Sequence, residues 1–333
     1  MEKGAVWAIE NDMGVQSDLD CTEDGGFISG ADPSLASKKA IERGRPQLGS
    51  LGGGNHFIEV QEIDEIFDDN AANAMGLKKG GLTITVHTGS RGFGYQCCDD
   101  SLVIMQKAVQ KYKLDLPDRQ LACAPLHSQE AKDYLAIMRA AANFAWCNRQ
   151  IITHAIREGL SRLLGKSWED LGLYLVYDLA HNIAKIEKHD VDGVTKTLCI
   201  HRKGATRSFG PGHPLIPQKY RAIGQPVLIP GSMGTASYVL VGTEKAMKET
   251  FGSCAHGAGR VLGRREALRE LDHLEFLDEM KSKGIVIRAG SKKTLREEAP
   301  QAYKDIEMVV KSAESAGLAK KVARLKPLGV IKG

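Results

Sequence analysis

The chain has 333 residues, of which 42% are hydrophobic and 26% charged, a composition that excludes a disordered or collagen-like protein. Its formal net charge of +4 permits an anionic partner but is too small to indicate nucleic acid by itself. The seven cysteines have neither disulfide-framework nor C-x-x-C spacing, and no segment has the pattern of a signal peptide or a membrane span, so we expect a cytoplasmic globular protein.

The first third of the chain predicts short helices followed by two strands. Residues 1–21 are typical of helix and loop, and residues 32–42 predict a short helix with proline at its first helical position. The apolar runs 57–60 and 82–86 predict strands, and the second strand leads directly into the polar loop 87–92.

The rest of the chain predicts one long helix, two more strands and two later helices. Residues 128–164 carry apolar residues at steps of three or four, as in a scaffold helix. The runs 173–177 and 226–229 predict strands that lead into polar loops, and helices are expected from about 256 to 280 and over 296–316. Because no repeat or linker interrupts the pattern, we expect one α+β domain of mixed β-sheets packed with helices.

Three histidines lie in loops beside predicted strands: His56, His87 and His181. Strand ends meet when strands share a sheet, so the three imidazoles can converge at one edge, and neutral imidazole is a common ligand of Mn, Zn and Fe ions. A single loop histidine is more often a surface residue than a ligand. On spacing alone, a metal site and three unrelated histidines are equally open interpretations.

The segment 51–59 begins with a leucine followed by three consecutive glycines. Glycines allow backbone N–H groups to crowd around an anion, as in nest-type phosphate sites, although a flexible turn before a strand is the commoner explanation of a glycine triplet. In an extended segment Phe57 and Glu59 would face one side and His56 the other. One segment can therefore serve both a metal ion and a second ligand.

His256 precedes Gly257 and Gly259 at the expected start of a helix, with Arg260 and Arg264 one turn apart. Backbone N–H groups, the helix dipole and two guanidinium groups would all favour an anion there. An imidazole in that place can also attack a phosphorus atom. The alternative is that the two glycines only permit close helix packing.

Two further patterns have weaker support. Residues 201–203 contain a histidine, an arginine and a lysine which, together with Arg207, could contact phosphates. Asp18 and Cys21 have a D-x-x-C spacing that imitates a metal-binding pair, and we interpret it as coincidence.

Six segments, taken in order, resemble the RtcB family of RNA 3′-phosphate/5′-hydroxyl ligases: residues 51–59, 87–92, 180–182, 230–237, 256–260 and 331–333. Six motifs in register along nearly the whole chain are specific, whereas any one alone is weak. The resemblance implies one RtcB-like catalytic domain over residues 1–333 that uses GTP and Mn²⁺, two ions in the family, to join RNA 2′,3′-cyclic phosphate or 3′-phosphate ends to 5′-hydroxyl ends. It further implies roles in tRNA splicing and RNA repair, RNA partners such as tRNA halves or broken ends, and an archease-type activator as a partner to consider.

The resemblance also implies roles for individual residues. His256 matches the histidine that accepts GMP, and His56, His87 and His181 match three histidine ligands of the metal centre. Glu59 is expected to accept from both guanine N1–H and the exocyclic amine, which adenine cannot imitate. The positions that match guanylate-binding residues are Asn55, His56, Phe57, Ile58, Glu59, His181, Asn182, Pro230, Gly231, Ser232, Met233, Ser237, His256, Gly257, Ala258, Gly259, Arg260, Tyr303 and Lys332.

The family pattern is incomplete on the amino-terminal side. In the family a D-x-x-C-G segment, well before the glycine-rich loop, supplies an Asp and a bridging Cys to the metal centre, and Asp18 and Cys21 lie too close to Asn55 to match it. The resemblance therefore implies an amino-terminally truncated domain that lacks two metal ligands, and we expect the chain alone to bind at most one Mn²⁺. Three interpretations stay open: an active ligase, an inactive GTP- or RNA-binding remnant, and a metal-dependent phosphohydrolase, for which only Asp178 lies near His181 as a bridging carboxylate.

Overall fold

The structure is a computed structural model that describes residues 1–118, 120–271 and 273–333. Its α-helices within these ranges are Ala5–Glu10 (α1), Gln16–Leu19 (α2), Lys38–Gly44 (α3), Asp69–Met75 (α4), Arg91–Lys111 (α5), Gln129–Leu164 (α6), Glu244–Glu249 (α7), Arg264–Glu270 (α8), His273–Ser282 (α9), Lys292–Glu297 (α10) and Ile306–Ser315 (α11). Its strands are Phe57–Ile66 (β1), Leu82–His87 (β2), Asn182–Val191 (β3), Val194–Lys203 (β4), Ala205–Arg207 (β5), Pro226–Ile229 (β6), Ser237–Gly242 (β7), Ser253–Ala255 (β8), Val286–Ala289 (β9) and Ala319–Lys332 (β10).

The largest sheet is built around β10. Its strand order is β2-β1-β10-β7-β6, and β9 pairs with the second half of β10. Most neighbours are antiparallel, whereas the β9–β10 pair is parallel. Two antiparallel pairs, β3–β4 and β5–β8, lie outside this sheet. The expected α+β class with mixed sheets packed with helices is confirmed.

The register of the sheet brings three chain segments to one edge. Phe57 of β1 lies opposite His87 of β2 on one side and opposite Lys332 of β10 on the other. Along β1 buried and half-buried residues alternate, as expected where one face of a sheet is covered by protein. The strand predictions at 57–60, 82–86 and 226–229 are confirmed, and β1, β2 and β10 lead to the same region.

Helix α6 is the long scaffold helix that the sequence predicts. Ser128 caps its first turn by accepting a hydrogen bond from the Ala131 N–H at 3.2 Å, and Gly165, with a φ of +65°, ends it. Its buried residues include two fully enclosed asparagines, Asn143 and Asn148. Over the described ranges, no helix has the length and apolarity that crossing a bilayer requires.

Two predictions in the first half of the chain are wrong in detail. Residues 173–177 form no strand, and the segment that follows makes one bridge, between Asp178 and Thr22. Because this bridge is parallel, residues 173–177 would have to pair with residues 17–21, which instead form the end of helix α2 and the turn after it. Residues 32–42 are split into a 3₁₀ turn, Pro33–Leu35, and helix α3, which Ser37 caps.

The last third of the chain differs more from expectation. The region between 256 and 280 contains α8 and α9 rather than one helix, and 296–316 contains the end of α10, a 3₁₀ turn at Pro300–Ala302 and α11. The apolar pattern does not predict strand β10, although it is the longest strand in the described ranges and the centre of the sheet.

Candidate active site

Four imidazole rings form one cluster. His56 immediately precedes β1, His87 ends β2, His181 immediately precedes β3 and His256 follows β8. Ring centroids are 5.9 Å apart for His56 and His87, 5.1 Å for His87 and His181, and 4.7 Å for His181 and His256. The structure therefore brings together the three predicted metal ligands and the predicted nucleophile.

Burial makes these imidazoles neutral near pH 7. It lowers the pKa of His56 and of His181 to about 4 and the pKa of His87 well below its ordinary value. Burial also lowers the pKa of His256, although the Gly204 backbone acts in the opposite direction. A neutral imidazole has a free lone pair, which both metal binding and nucleophilic attack require.

The glycine-rich loop fixes the ring of His56. Its Nδ1 lies 3.0 Å from the Leu51 carbonyl oxygen and 3.3 Å from Nη1 of Arg91. Since a carbonyl oxygen only accepts, the shorter contact places a proton on Nδ1 and leaves the Nε2 lone pair free. At Gly52 a Cβ atom would lie 1.5 Å from Arg91 Nη1, so glycine at this position makes room for the guanidinium.

The histidines suit a divalent ion in chemistry and in spacing. Nε2 of His87 and Nε2 of His181 are 3.1 Å apart, close to the roughly 3.3 Å between two nitrogens bound to one tetrahedral ion. Nδ1 of His181 is buried and has no hydrogen-bond partner among the described residues. No group of three or more His, Cys, Asp or Glu side chains in the described ranges already surrounds one point as metal ligands would. The residues present fit an ion held by His87 and His181, with His56 beside them.

Beside the imidazoles lies a buried acid–base pair on neighbouring strands. Glu59 of β1 and Lys332 of β10 are each 4% exposed. Burial raises the pKa of Glu59 to about 8 and lowers that of Lys332 to about 8. Lys332 Nζ donates to the Gly54 carbonyl oxygen at 3.3 Å and lies 5.6 Å from the centre of the Phe57 ring. The terminal part of β10 thus joins the glycine-rich loop.

Two loops pack together beside His256. The Ala258 N–H donates to the Pro230 carbonyl oxygen at 3.3 Å, so the segment after β8 lies against the segment after β6. The Gly231 N–H donates to Ser237 Oγ at 3.2 Å, which closes the turn between β6 and β7. Two further predicted residues of this turn are buried: Ser232 and Met233.

Arg260 and Tyr303 meet at a buried carboxylate. Arg260 Nη1 lies 3.2 Å from Glu298 Oε1, its guanidinium lies 4.9 Å from the centre of the Tyr303 ring, and the Tyr303 hydroxyl donates to Glu298. Arg264 Nε lies 3.5 Å from the same carboxylate. Glu298 is 1% exposed, so this buried carboxylate fixes the side chains of two predicted ligand-binding residues, Arg260 and Tyr303.

The other predicted residues border these groups. Asn182 is exposed at the start of β3, where its Oδ1 accepts a 3.4 Å hydrogen bond from the Gly204 N–H. The Gly259 carbonyl oxygen accepts from the Lys304 N–H at 3.0 Å. Three more residues are half-buried: Asn55, Ile58 and Gly257.

The expected helix start at His256 is wrong. The segment from His256 to Gly263 is irregular, Gly259 has a φ of +70°, and helix α8 begins only at Arg264. Arg260 instead forms a bridge with Tyr303. His256 therefore owes its position to the loop packing and not to a helix dipole.

The idea that Arg202 and Arg207 contact phosphates is also wrong. Arg202 makes a two-pronged ion pair with Glu187, at 2.7 and 2.8 Å, and Arg207 pairs with Asp24 at 2.8 Å. The two arginines are 2% and 1% exposed. Their guanidinium groups are committed to buried carboxylates.

The acidic residues considered as metal ligands have other partners. Asp18 makes a two-pronged ion pair with Arg157, at 2.7 and 2.8 Å, and Cys21 lies 3.5 Å from the Tyr220 hydroxyl. Asp178 pairs with Arg149 at 2.7 Å, so it is not a free bridging carboxylate beside His181. These contacts remove the support for the phosphohydrolase interpretation.

Sequence reasoning missed four residues that shape the site. Arg91 contacts His56, Glu298 holds Arg260, and Asn148 and Arg149 of α6 contact the histidine loops. One feature of the sequence could have pointed to Arg91: it stands four residues after His87 in a loop of small residues. The other three lie in helical or mixed segments and had no signal in the sequence.

Known proteins are similar to this chain along its whole length. The family model described as tRNA-splicing ligase RtcB matches residues 1–333. Proteins named tRNA-splicing ligase RtcB are 56% identical over 331 residues in Archaeoglobus fulgidus, 54% over 330 residues in Pyrococcus abyssi and 53% over 333 residues in Methanococcus maripaludis. The matches cover 99%, 99% and 100% of this chain and 69%, 36% and 69% of those proteins, respectively.

Proposed function

Because the chain belongs to the RtcB family of tRNA-splicing ligases, we propose that it is an RNA ligase that uses GTP and Mn²⁺ and carries GMP on His256. The observation that carries this proposal is the four-histidine cluster. It sets the His256 ring 4.7 Å from the His181 ring, beside a buried carboxyl group and a buried lysine. Three imidazoles for a metal ion, one for covalent chemistry, and the buried side chains of Glu59 and Lys332 make up the set of groups that nucleotidyl transfer needs.

Nucleotidyl transfer takes place at His256. Burial keeps its imidazole neutral, so a ring nitrogen has the lone pair that attack on phosphorus requires. That nitrogen bonds to the α-phosphorus of GTP while the bond from phosphorus to the pyrophosphate oxygen breaks, and the other ring nitrogen releases its proton. A metal ion held by His56, His87 and His181 would offset phosphate charge.

Glu59 selects the base in this proposal. Its Oε1 is buried and has no hydrogen-bond partner among the described residues. Burial alone favours the protonated form of Glu59, but guanine offers two donors, N1–H and the exocyclic amine, which together would hold it as the carboxylate, whereas adenine offers an acceptor at N1 and only one of these donors. Leaving such a buried group unpaired is costly, which favours GTP over ATP.

The proposed substrates are RNA ends. The RNA would carry a 2′,3′-cyclic phosphate or 3′-phosphate on one side and a 5′-hydroxyl on the other, as in tRNA halves or broken RNA. We place the reaction in the cytoplasm, in tRNA splicing and RNA repair, with an archease-type protein as a candidate activator.

The test is labelling with α-³²P-GTP and Mn²⁺. We expect the protein to acquire an acid-labile, alkali-stable label, as a phosphoramidate would be, and His256→Ala to abolish it. The exposed His201 lies outside the cluster, so His201→Ala should label normally. Label retained by His256→Ala, with an unfolding temperature equal to that of the wild type, would contradict the proposal.

A further inference from the structure

Two consecutive residues of α6, Asn148 and Arg149, contact the loops that carry three of the four histidines. The loops are residues 49–56 before β1, residues 87–90 from the last residue of β2 to the start of α5, and residues 178–181 before β3. They are far apart in sequence: pairing of β1 with β2 aligns the first two, and the third precedes a strand of a separate sheet. A rigid helix that binds all three gives them a common reference.

Asn148 joins the first two loops. Its Oδ1 accepts hydrogen bonds from the Gly49 N–H at 2.7 Å and the Ser50 N–H at 3.1 Å. Its Nδ2 donates to the Ser50 carbonyl oxygen at 3.1 Å and to the Gly89 carbonyl oxygen at 3.2 Å. Two N–H donors face the oxygen and two carbonyls face the nitrogen, so the orientation of the amide is determined by its partners. The side chain is 0% exposed and uses its full hydrogen-bonding capacity.

Arg149 joins the second and third loops. Its Nη1 donates to the Thr88 carbonyl oxygen at 3.1 Å, one residue after His87. Its Nε donates to Asp178 Oδ1 at 2.7 Å, three residues before His181. The planar guanidinium spans both groups at once, which the single nitrogen of a lysine cannot do.

The contacts continue to the ring of His56. Thr88, whose backbone carbonyl oxygen accepts from Arg149 Nη1, donates its hydroxyl to the Leu51 carbonyl oxygen at 2.6 Å. That carbonyl also faces His56 Nδ1 at 3.0 Å. The helix is thus linked through Thr88 to the Leu51 carbonyl oxygen, which decides which nitrogen of His56 carries the proton.

We propose that Asn148 and Arg149 are positioning residues that hold the three metal-binding histidines in register with one another. The inference rests on the proposed function only in taking the histidines as metal ligands. Residues that orient metal ligands from behind typically change metal affinity by about 10–100-fold when they are removed. Neither Asn148 nor Arg149 itself touches metal, GTP or RNA in this proposal.

The same helix offers a matched control. Asn143 is also 0% exposed, and it also binds loop backbone through both ends of its amide, with the Ile28 N–H at 2.7 Å and the carbonyl oxygens of Glu2 and Ile28 at 2.8 and 3.0 Å. Those partners, Glu2 and Ile28, lie outside the three histidine loops. Asn143→Ala and Asn148→Ala should therefore destabilise the protein similarly, and only the second should disturb the cluster.

Two measurements on both variants decide the matter. In the metal-free protein, amide hydrogen exchange over residues 49–56 and 88–91 should become roughly tenfold faster or more in Asn148→Ala and stay unchanged in Asn143→Ala. Calorimetric titration with Mn²⁺ alone should show about a 10–100-fold loss of affinity in Asn148→Ala only. If Asn148→Ala does not fold, Arg149→Lys replaces it, with faster exchange expected over residues 88–91 and 178–181.

The outcomes separate the two proposals. Equal exchange and equal Mn²⁺ affinity in the two asparagine variants would overturn the positioning role and leave the ligase proposal intact. A wild-type chain that binds no Mn²⁺ and takes no label from GTP would count against the ligase proposal, and the exchange comparison would still decide whether α6 orders the loops.

Discussion

Glu59 is a carboxylic acid enclosed by protein. It is 4% exposed, its Oε1 has no hydrogen-bond partner in the described part of the chain, and its Oε2 accepts one long bond of 3.4 Å from Gln61 Nε2. Burial therefore raises its pKa from 4.5 to about 8, and the charge on Lys332 only opposes that shift. The folded protein keeps this proton at pH values where the unfolded chain has already released it.

We expect Glu59→Gln to stabilise the protein by an amount that grows with pH. Because the folded pKa lies above the unfolded one, the wild type has its full stability below pH 4.5 and loses part of it as pH rises through 8. Glutamine has no proton to lose, so its advantage should increase by about 2–4 kcal/mol between pH 5 and pH 8. Urea unfolding of both proteins at the two pH values measures this. A difference that is the same at both would show that Glu59 ionises normally.

Helix α3 packs closely on α5 through Gly44. A Cβ atom at Gly44 would lie 2.6 Å from the Cβ of Phe93, which is 0% exposed and has no room to move. At Gly159, in the exposed part of α6, a Cβ atom would have no neighbour within 4 Å. Alanine at Gly159 therefore changes helix propensity alone, whereas alanine at Gly44 also adds a steric clash with Phe93.

We expect opposite effects from alanine at these two sites. Gly159→Ala should stabilise the protein by up to about 1 kcal/mol, because alanine is the better helix former. Gly44→Ala should destabilise it by about 1–3 kcal/mol, because overpacking outweighs that gain. Denaturant midpoints of the two variants give the comparison. A stabilising Gly44→Ala would mean that α3 and α5 can separate slightly at little cost.

Elements with a regular apolar pattern are the ones that could be predicted from the sequence. Helix α6 and strands β1, β2 and β6 follow their apolar periodicity, and the histidine loops at 56 and 87 lie where β1 and β2 meet. Strand β10 escapes prediction because its alternation is broken: Val322 and Ala323 are both buried at a register shift, and Pro327 lies opposite Gln61. The roles of Asn148 and Arg149 were beyond prediction, since most of their partners are backbone atoms of distant loops.

Across the whole molecule, a buried ionic network connects the amino-terminal segment to two later strands. Lys185 of β3 binds the carboxylates of Glu23 and Asp24, and Arg207 of β5 binds Asp24 at 2.8 Å. Burial alone would raise the pKa of Asp24, but these two cations outweigh it and lower the pKa. Glu23 also accepts from the Ala180 N–H at 2.9 Å, next to His181.

We expect Lys185→Met to cost about 3–5 kcal/mol of unfolding free energy, because it removes one partner from carboxylates that stay buried. Lys3 provides the control. It pairs with Glu10 at 2.7 Å, but the side chains are 58% and 46% exposed, so Lys3→Met should cost less than about 1 kcal/mol. Urea unfolding at neutral pH measures both. Similar losses in the two variants would show that water reaches the network around Lys185.

The central place of β10 has a consequence for synthesis of the chain. Lys332 reaches Gly54 across 278 residues, and at about 5–20 residues per second a ribosome needs roughly 14–56 s to make the intervening chain. Strand β1 can pair with β2 early, but its other edge has no partner until β10 emerges. During that interval the nascent protein exposes an open strand edge to every other chain nearby. Its yield in the cell therefore depends on whatever shields that edge until translation has passed β10.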